Sequence, residues 1–474
     1  MAGTKTLRVG VLTPVNTLNP REAQDFVSQM AVTQIYESPF AQPAAAGRTP
    51  EPLLFQDRLR QDGPTEYSAT VRSDVRFSDG TPLTARHVAD SLSRVASLRE
   101  HVEVEVRDDR VVFRLDRPNA RLDLVLAQRY CAVTLESRGT LFGTGPYMPA
   151  PGGSTPERIR LVRNPHARRP AAIDEVIIQL YPPDAQGRPE ALLAALEAGE
   201  VDFTNVVSRE DIMRLKNVRR LTEPGSSTAI LYMNSQRPGL DDPRVRKAIA
   251  LSIDRLEIAK LFYATATAFA ATNLLPPMLG RGNDGLAFDP AKARALLAAP
   301  DVRKPARLAL MLIFGPRPYL PNPRKVGEAL AAQIEKLGIA VDLVPTANPP
   351  EYRARAQRGD YDLALAGWVA DTLDPVDFLE ATLGSESIPS PDRKIVVGAN
   401  LSRWKSAETD AELERLRQEP REDVRATLLK RIADEVPLLP LMYGPTIYAH
   451  SWKVKNFTPA PLGIPSFGEL DLQD

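Results

Sequence analysis

Between Leu308 and Trp368 three short apolar runs alternate with two helical stretches, and this alternation constrains the fold more than any other feature of the chain. Leu308–Ile313, Val341–Val344 and Tyr361–Ala366 are strand-length runs rich in branched and apolar residues. Lys325–Leu337 and Glu351–Arg358 carry helical patterns instead. Strands joined by connections this long do not form hairpins. They pair in parallel through right-handed crossovers, so a βαβαβ unit and an α/β class are predicted.

The rest of the chain has the same texture. Leu7–Leu12, Tyr67–Val71, Val102–Leu115, Arg158–Val162, Val176–Leu180, Val201–Phe203, Thr228–Met233 and Leu438–Tyr443 read as strands. Ala23–Tyr36, Thr84–Val95, Glu190–Ala198, Pro243–Ile253, Asp410–Arg417 and Arg421–Val436 read as helices, with Thr84 as an N-cap. In Pro243–Ile253 the residues Val245, Ala248, Ile249 and Ser252 share one face. The stretch Pro39–Pro52, rich in Pro and Ala, looks like a boundary, and no repeat of 20–50 residues is present.

Chemistry-bearing motifs are few. The four histidines, His87, His101, His166 and His450, lack the spacing of a metal site, and no P-loop or GxSxG elbow occurs. The one GxGxxG match, Gly280–Gly285, follows Leu275-Pro276-Pro277 rather than a strand and reads as a glycine-rich loop. Cys131 lies in an apolar-flanked run and is expected to be buried and inert. With 474 residues the chain has room for two to four domains, and the 43 prolines are scattered as turn punctuation. Sixty basic residues balance sixty acidic ones, which argues against nucleic acid or an anionic membrane as partner. No cofactor, no metal and no membrane insertion are expected.

In an open parallel sheet ligands sit beyond the carboxyl ends of the strands. Two charged residues fall there. The loop Phe314–Pro323 carries Arg317 and Tyr319, and the loop Gly367–Pro375 carries Asp371 beside Trp368. A guanidinium and a carboxylate at one sheet edge suit the two ends of a zwitterion through charge-assisted hydrogen bonds. On spacing alone, a solvated Arg317 and an Asp371 that caps a turn remain an alternative.

Several segments resemble the extracytoplasmic solute-binding proteins of peptide ABC importers, the large dipeptide- and oligopeptide-binding family. They are Phe77-Ser-Asp-Gly-Thr-Pro-Leu-Thr84, Gly143-Thr-Gly-Pro-Tyr147, Asn164-Pro165 followed by Ile173-Asp-Glu-Val176, Ala195–Asp202, and the helix Asp242–Arg255. Individually weak, these strings are specific in this order. The resemblance implies a two-lobed clamshell that encloses its ligand. Its discontinuous domain I would comprise 1–45, 140–226 and 438–474, domain II 46–139, and domain III, the second lobe, 227–437. It also implies that Arg317 receives a peptide carboxylate and Asp371 a peptide ammonium, with Trp368, Tyr319 and Gly367 beside them. The expected partners are a small peptide and the transmembrane subunits of an ABC permease, with the chain itself monomeric and non-enzymatic.

Some features depart from the family pattern. Residues 1–6 carry no leader pattern and no anchoring Cys, so either a leader has been removed or the protein is cytoplasmic. The segment Ala44–Tyr67 is short for the family, and Arg353, Arg355 and Arg358 read as a solvated helix face. The alternatives left open are a leaderless intracellular ligand sensor, a binder of oligosaccharide, metal chelate, haem or opine, and a hydrolase using acidic residues of the same cleft.

Overall fold

The computed structural model describes all residues except 1–3, 24, 44–47, 185–187, 264, 281–284, 316, 393–398, 461 and 474, together with the side chains of Ser97 and Glu223. The chain divides into two compact units, one built from 1–44, 48–223 and 447–474, the other from 224–446.

In the first unit β1 (Thr6–Val11) is followed by α1 (Phe26–Ile35), whose N-cap Asp25 accepts from the Ser28 amide. Next comes a small four-stranded antiparallel sheet made of the edge strand Arg60–Gln61, β2 (Glu66–Thr70), β3 (Val102–Arg107) and β4 (Arg110–Leu115), with β2 and β4 in the middle. Beside it lies α2 (Ala85–Leu92), where Thr84 caps the helix and His87 reaches back to complete a capping box. The 102–115 stretch is thus a hairpin, turned at Asp108 in the left-handed conformation (φ 56°). This sheet has a core of its own, with Phe55, Phe77 and Phe113 fully buried.

The unit's larger sheet adds β5 (Arg158–Arg163) and β6 (Glu175–Leu180), then α3 (Glu190–Glu197) and β7 (Phe203–Thr204). The opening strand β1 is central: it runs parallel to β6 from Thr6↔Glu175 to Val11↔Leu180 and parallel to β7 at Val9↔Phe203. Its buried face of Leu7, Val9 and Val11 explains the apolar alternation in the sequence.

The second unit contains the predicted βαβαβ motif. β8 (Arg219–Met233) leads into α4 (Pro243–Leu251), then β9 (Arg307–Leu312), α5 (Pro323–Ile334), β10 (Ala340–Pro345), α6 (Pro349–Arg358) and β11 (Leu363–Val369). Three helices follow, α7 (Pro375–Leu383), α8 (Ala407–Gln418) and α9 (Glu422–Glu435), before β12 (Leu438–His450). β9 pairs in parallel with β10 and with β11, and β11 pairs antiparallel with β8. Val245, Ala248, Ile249 and Ser252 of the α4 segment are all buried, as their spacing predicts.

Two strands are longer than the sequence suggests. β8 begins at Arg219 rather than Thr228, and β12 runs to His450 rather than Tyr443. Glu223-Pro-Gly-Ser-Ser227 and Gly444-Pro445 look like strand breakers. Sheet pairing overrides that local preference, and the glycines mark a close approach: a Cβ on Gly225 would stand 2.3 Å from the Thr446 hydroxyl. Conversely, the expected strand Val201–Phe203 is reduced to Phe203–Thr204, paired with His450 and Ala449. Among the described residues no helix is long and apolar enough to cross a membrane.

Candidate ligand-binding site

The register that sets Leu312 beside Leu365 in the parallel pair β9 and β11 also sets where the chain leaves the sheet. Arg317 follows five residues after Leu312 and Asp371 six residues after Leu365, so both loops leave the same edge of neighbouring strands.

The Arg317 loop is a stiff turn. Arg317 and Leu320 exchange backbone hydrogen bonds of 3.0 and 2.9 Å, and Asn322 then caps α5 by accepting from the Lys325 amide. The half-buried guanidinium of Arg317 lies 4.1 Å above the Phe314 ring, a cation–π contact that fixes its plane. Tyr319 is buried, and its phenol is pushed up to about 12 by desolvation, against the opposing charge of Arg317.

Gly367 and Trp368 belong to β11 and not to a loop: β8 pairs with them through Ala229↔Gly367 and Thr228↔Trp368 and carries the strand on to Val369. The loop proper starts at Ala370, whose amide donates to Ser226 at 2.7 Å. Glycine at 367 is a steric necessity. A Cβ there would lie 2.3 Å from the Thr228 carbonyl and 2.6 Å from the Tyr319 ring. Gly444 of β12 serves the same end from the other side, since a Cβ there would lie 2.8 Å from the Tyr319 Cα. Tyr319 therefore packs closely against Gly367 and Gly444, and Gly444 escaped the sequence reading because nothing in sequence ties it to Tyr319.

Asp371 is exposed at the tip of its loop. Directly behind it the chain is buried: Thr372, Leu373 and Asp374 are each at most 6% exposed. Asp374 caps α7 by accepting from the Val376 amide at 3.0 Å, and the Thr372 hydroxyl donates to Asp377 in the first turn of that helix. The N-cap of α7 is thus Asp374, three residues beyond Asp371. Sequence reasoning missed Thr372, Asp374 and Asp377, although the Asp-Pro start of a helix was a readable signal.

Elsewhere, Cys131 is fully buried, its thiol donates to the Val125 carbonyl, and burial pushes its pKa far up. Arg355 pairs with Glu351 and Asp360, and Arg358 with Asp360, in the manner of a solvated helix face. Residues 281–284 of the glycine-rich match lie outside the described residues. A pocket open to solvent in the second unit is lined by Arg255, Asn273, Leu429 and Ile432 among others; none of the five predicted residues lines it. Among the described residues no group of three or more His, Cys, Asp or Glu side chains is arranged to hold a metal ion.

The model of the bacterial extracellular solute-binding proteins, family 5 Middle, matches residues 49–390. The chain belongs to this family. The family 5 protein is 28% identical over 347 residues to Heme-binding protein A of Haemophilus influenzae, covering 70% of this chain and 60% of the relative. It is 28% identical over 311 residues to the Dipeptide-binding protein of Escherichia coli, covering 64% and 56%. These alignments therefore span less than two thirds of either relative's length. Two solved structures share its fold. HbpA2 of Haemophilus parasuis does so with a TM-score of 0.85 at 23% identity, covering 99% of this chain and 100% of that one. The dipeptide-binding protein of Pseudoalteromonas sp. SM9913 in complex with Met-Leu does so with a TM-score of 0.75 at 20% identity, covering 99% and 100%. The fold of the family 5 protein is that of the periplasmic binding proteins, mixed α/β as the alternating pattern predicts.

Proposed function

We propose that this chain is an extracytoplasmic, non-enzymatic receptor that binds a dipeptide or short peptide and delivers it to the transmembrane subunits of an ABC permease. The observation that carries the reading is the pair of loops carrying Arg317 and Asp371 on one edge of parallel strands, each braced from behind. Arg317 receives the ligand carboxylate as a bidentate partner, and Asp371 holds the ammonium. Trp368, Tyr319 and Gly367 form the wall beside them. Edge backbone groups add main-chain hydrogen bonds, which read a peptide without fixing its sequence. The protein acts as a monomer, and residues 46–139 form a domain added to the first lobe, with 227–437 as the second.

Calorimetry with a panel of dipeptides tests the reading. Asp371→Ala is expected to cost about 3–5 kcal/mol, because a desolvated ammonium loses its counter-charge. Unchanged affinity would refute the assignment. The similarity to a relative named for haem favours a second reading, haem as ligand. Haem has no ammonium, so haem binding that survives Asp371→Ala, with no dipeptide bound, would select it.

A further inference from the structure

The hydrogen bonds behind Asp371 tie its loop to the first turn of the following helix. Thr372 lies next to Asp371, and its hydroxyl accepts from the Asp374 amide at 2.9 Å while donating to Oδ2 of Asp377 at 2.5 Å. Asp377 sits in the first turn of α7, where the helix amides favour a carboxylate. Thr372 is 6% exposed, so its hydroxyl is held among protein groups. The residue next to Asp371 in the chain is thus anchored to Asp377.

The charges around Asp377 are unequal. Asp371 and Asp374 face it from the loop, and Glu380 faces it from its own helix. Arg417 faces it from the neighbouring α8, but that guanidinium is already committed to Glu380 and Glu414. A cation bound at Asp371 adds positive charge to these surroundings, so it favours ionised Asp377 just as ionised Asp377 favours the cation.

We propose that Asp377 is a positioning residue for ligand binding: through Thr372 it orients Asp371, and its charge strengthens the hold of Asp371 on a ligand ammonium. The inference rests on the ammonium-binding reading of Asp371 given above. It is supported by the carboxyl of Asp377, which desolvation and then the Asp374 carboxylate push up to about 7 from an ordinary value of 3.8. Asp377 thus gains its charge within the neutral range, and affinity for an ammonium ligand rises with pH across that range.

The test is titration calorimetry with Met-Leu from pH 5.5 to 7.5, with each affinity corrected for the fraction of ligand amine still charged at that pH, since the amine titrates at ~8. The parent is expected to bind about three- to tenfold more tightly at the upper end, the size of one added charge at short range in a partly screened site. Asp377→Asn, which keeps an oxygen to accept from Thr372, is expected to bind with the parent's low-pH affinity at every pH. N-acetyl-Met-Leu, lacking the charge, is expected to give no slope with either protein. A flat parent profile, or an Asp377→Asn profile as steep as the parent's, overturns the inference. If Asp371→Ala binds Met-Leu undiminished at pH 7.5, or Met-Leu fails to bind at all, the reading beneath it falls instead. If Asp371→Ala loses binding while Asp377→Asn keeps the full slope, this inference alone fails.

Discussion

Arg246 is 2% exposed, an unusual place for a guanidinium. All three of its nitrogens donate: they reach the carbonyls of Leu240 and Asp241 on one side and of Glu435 and Val436 on the other, with the Glu435 carboxylate 3.6 Å away. The second pair closes the C-terminus of α9, where Val436 adopts a left-handed conformation (φ 47°) that a β-branched residue avoids. Several buried carbonyls and one strained turn thus depend on a single side chain. Arg246→Met is expected to lower stability by about 3–5 kcal/mol, since each stranded carbonyl costs ~1–3 kcal/mol and the losses overlap. Arg246→Lys is expected to recover less than half of this, because a point charge cannot span two separated turns. Urea unfolding measures both, and equal stability of Arg246→Met and parent would show that the carbonyls find other partners. In the sequence this residue was invisible. The helical face of Val245, Ala248 and Ile249 was legible, but the demand for an arginine that joins two turns comes in part from carbonyls some 190 residues away.

At the scale of elements, what could be read depended on whether the signal was local. The βαβαβ unit declares itself through apolar runs and capping residues, and the structure keeps it with ends shifted by a few residues. The extensions of β8 and β12, and the inclusion of Gly367 and Trp368 in β11, depend on pairing with strands distant in sequence, so local turn chemistry misled there. The junction of β11 with α7 gives a prediction of its own. The folded protein holds the Asp377 carboxyl at about 7, whereas in the unfolded chain it titrates at ~3.9. Between these values the native state binds the proton more tightly, so the contribution of Asp377 to stability falls as pH rises from about 4 to 7 and is level above. Asp377→Asn removes the charge and keeps the acceptor for Thr372. Its melting temperature is therefore expected to exceed the parent's by more at pH 8 than at pH 4.5. Scanning calorimetry at the two values reads the difference, and an equal shift at both would mean that Asp377 carries no buried-charge penalty.

For the whole molecule, the sequence located the Arg317 and Asp371 edge because it follows from strand order, while the bracing behind it, Phe314 under Arg317 and Thr372 against Asp377, appears only when the chain is folded. Charge is the other property legible at this scale. Sixty basic and sixty acidic residues give a formal net charge of zero and a pI near 7.0. The folded chain disperses that balance locally: Arg107 and Arg114 interleave with Glu66 and Glu105, Arg214 pairs with Glu190, and Arg244 pairs with Asp242 and Asp301. Such exposed pairs each contribute little to stability. Their effect on colloidal behaviour is larger, because a surface of alternating sign with no net charge offers no long-range repulsion between copies. Solubility at low ionic strength is therefore expected to pass through a minimum near pH 7 and to rise on both sides. Added salt is expected to raise it at the minimum by screening the attraction between opposite patches. Light scattering across pH 5 to 9 at two salt concentrations measures this. A minimum displaced by more than about one pH unit would mean that the folded surface carries a net charge that the composition does not, through carboxyls such as Asp377 held uncharged in the fold.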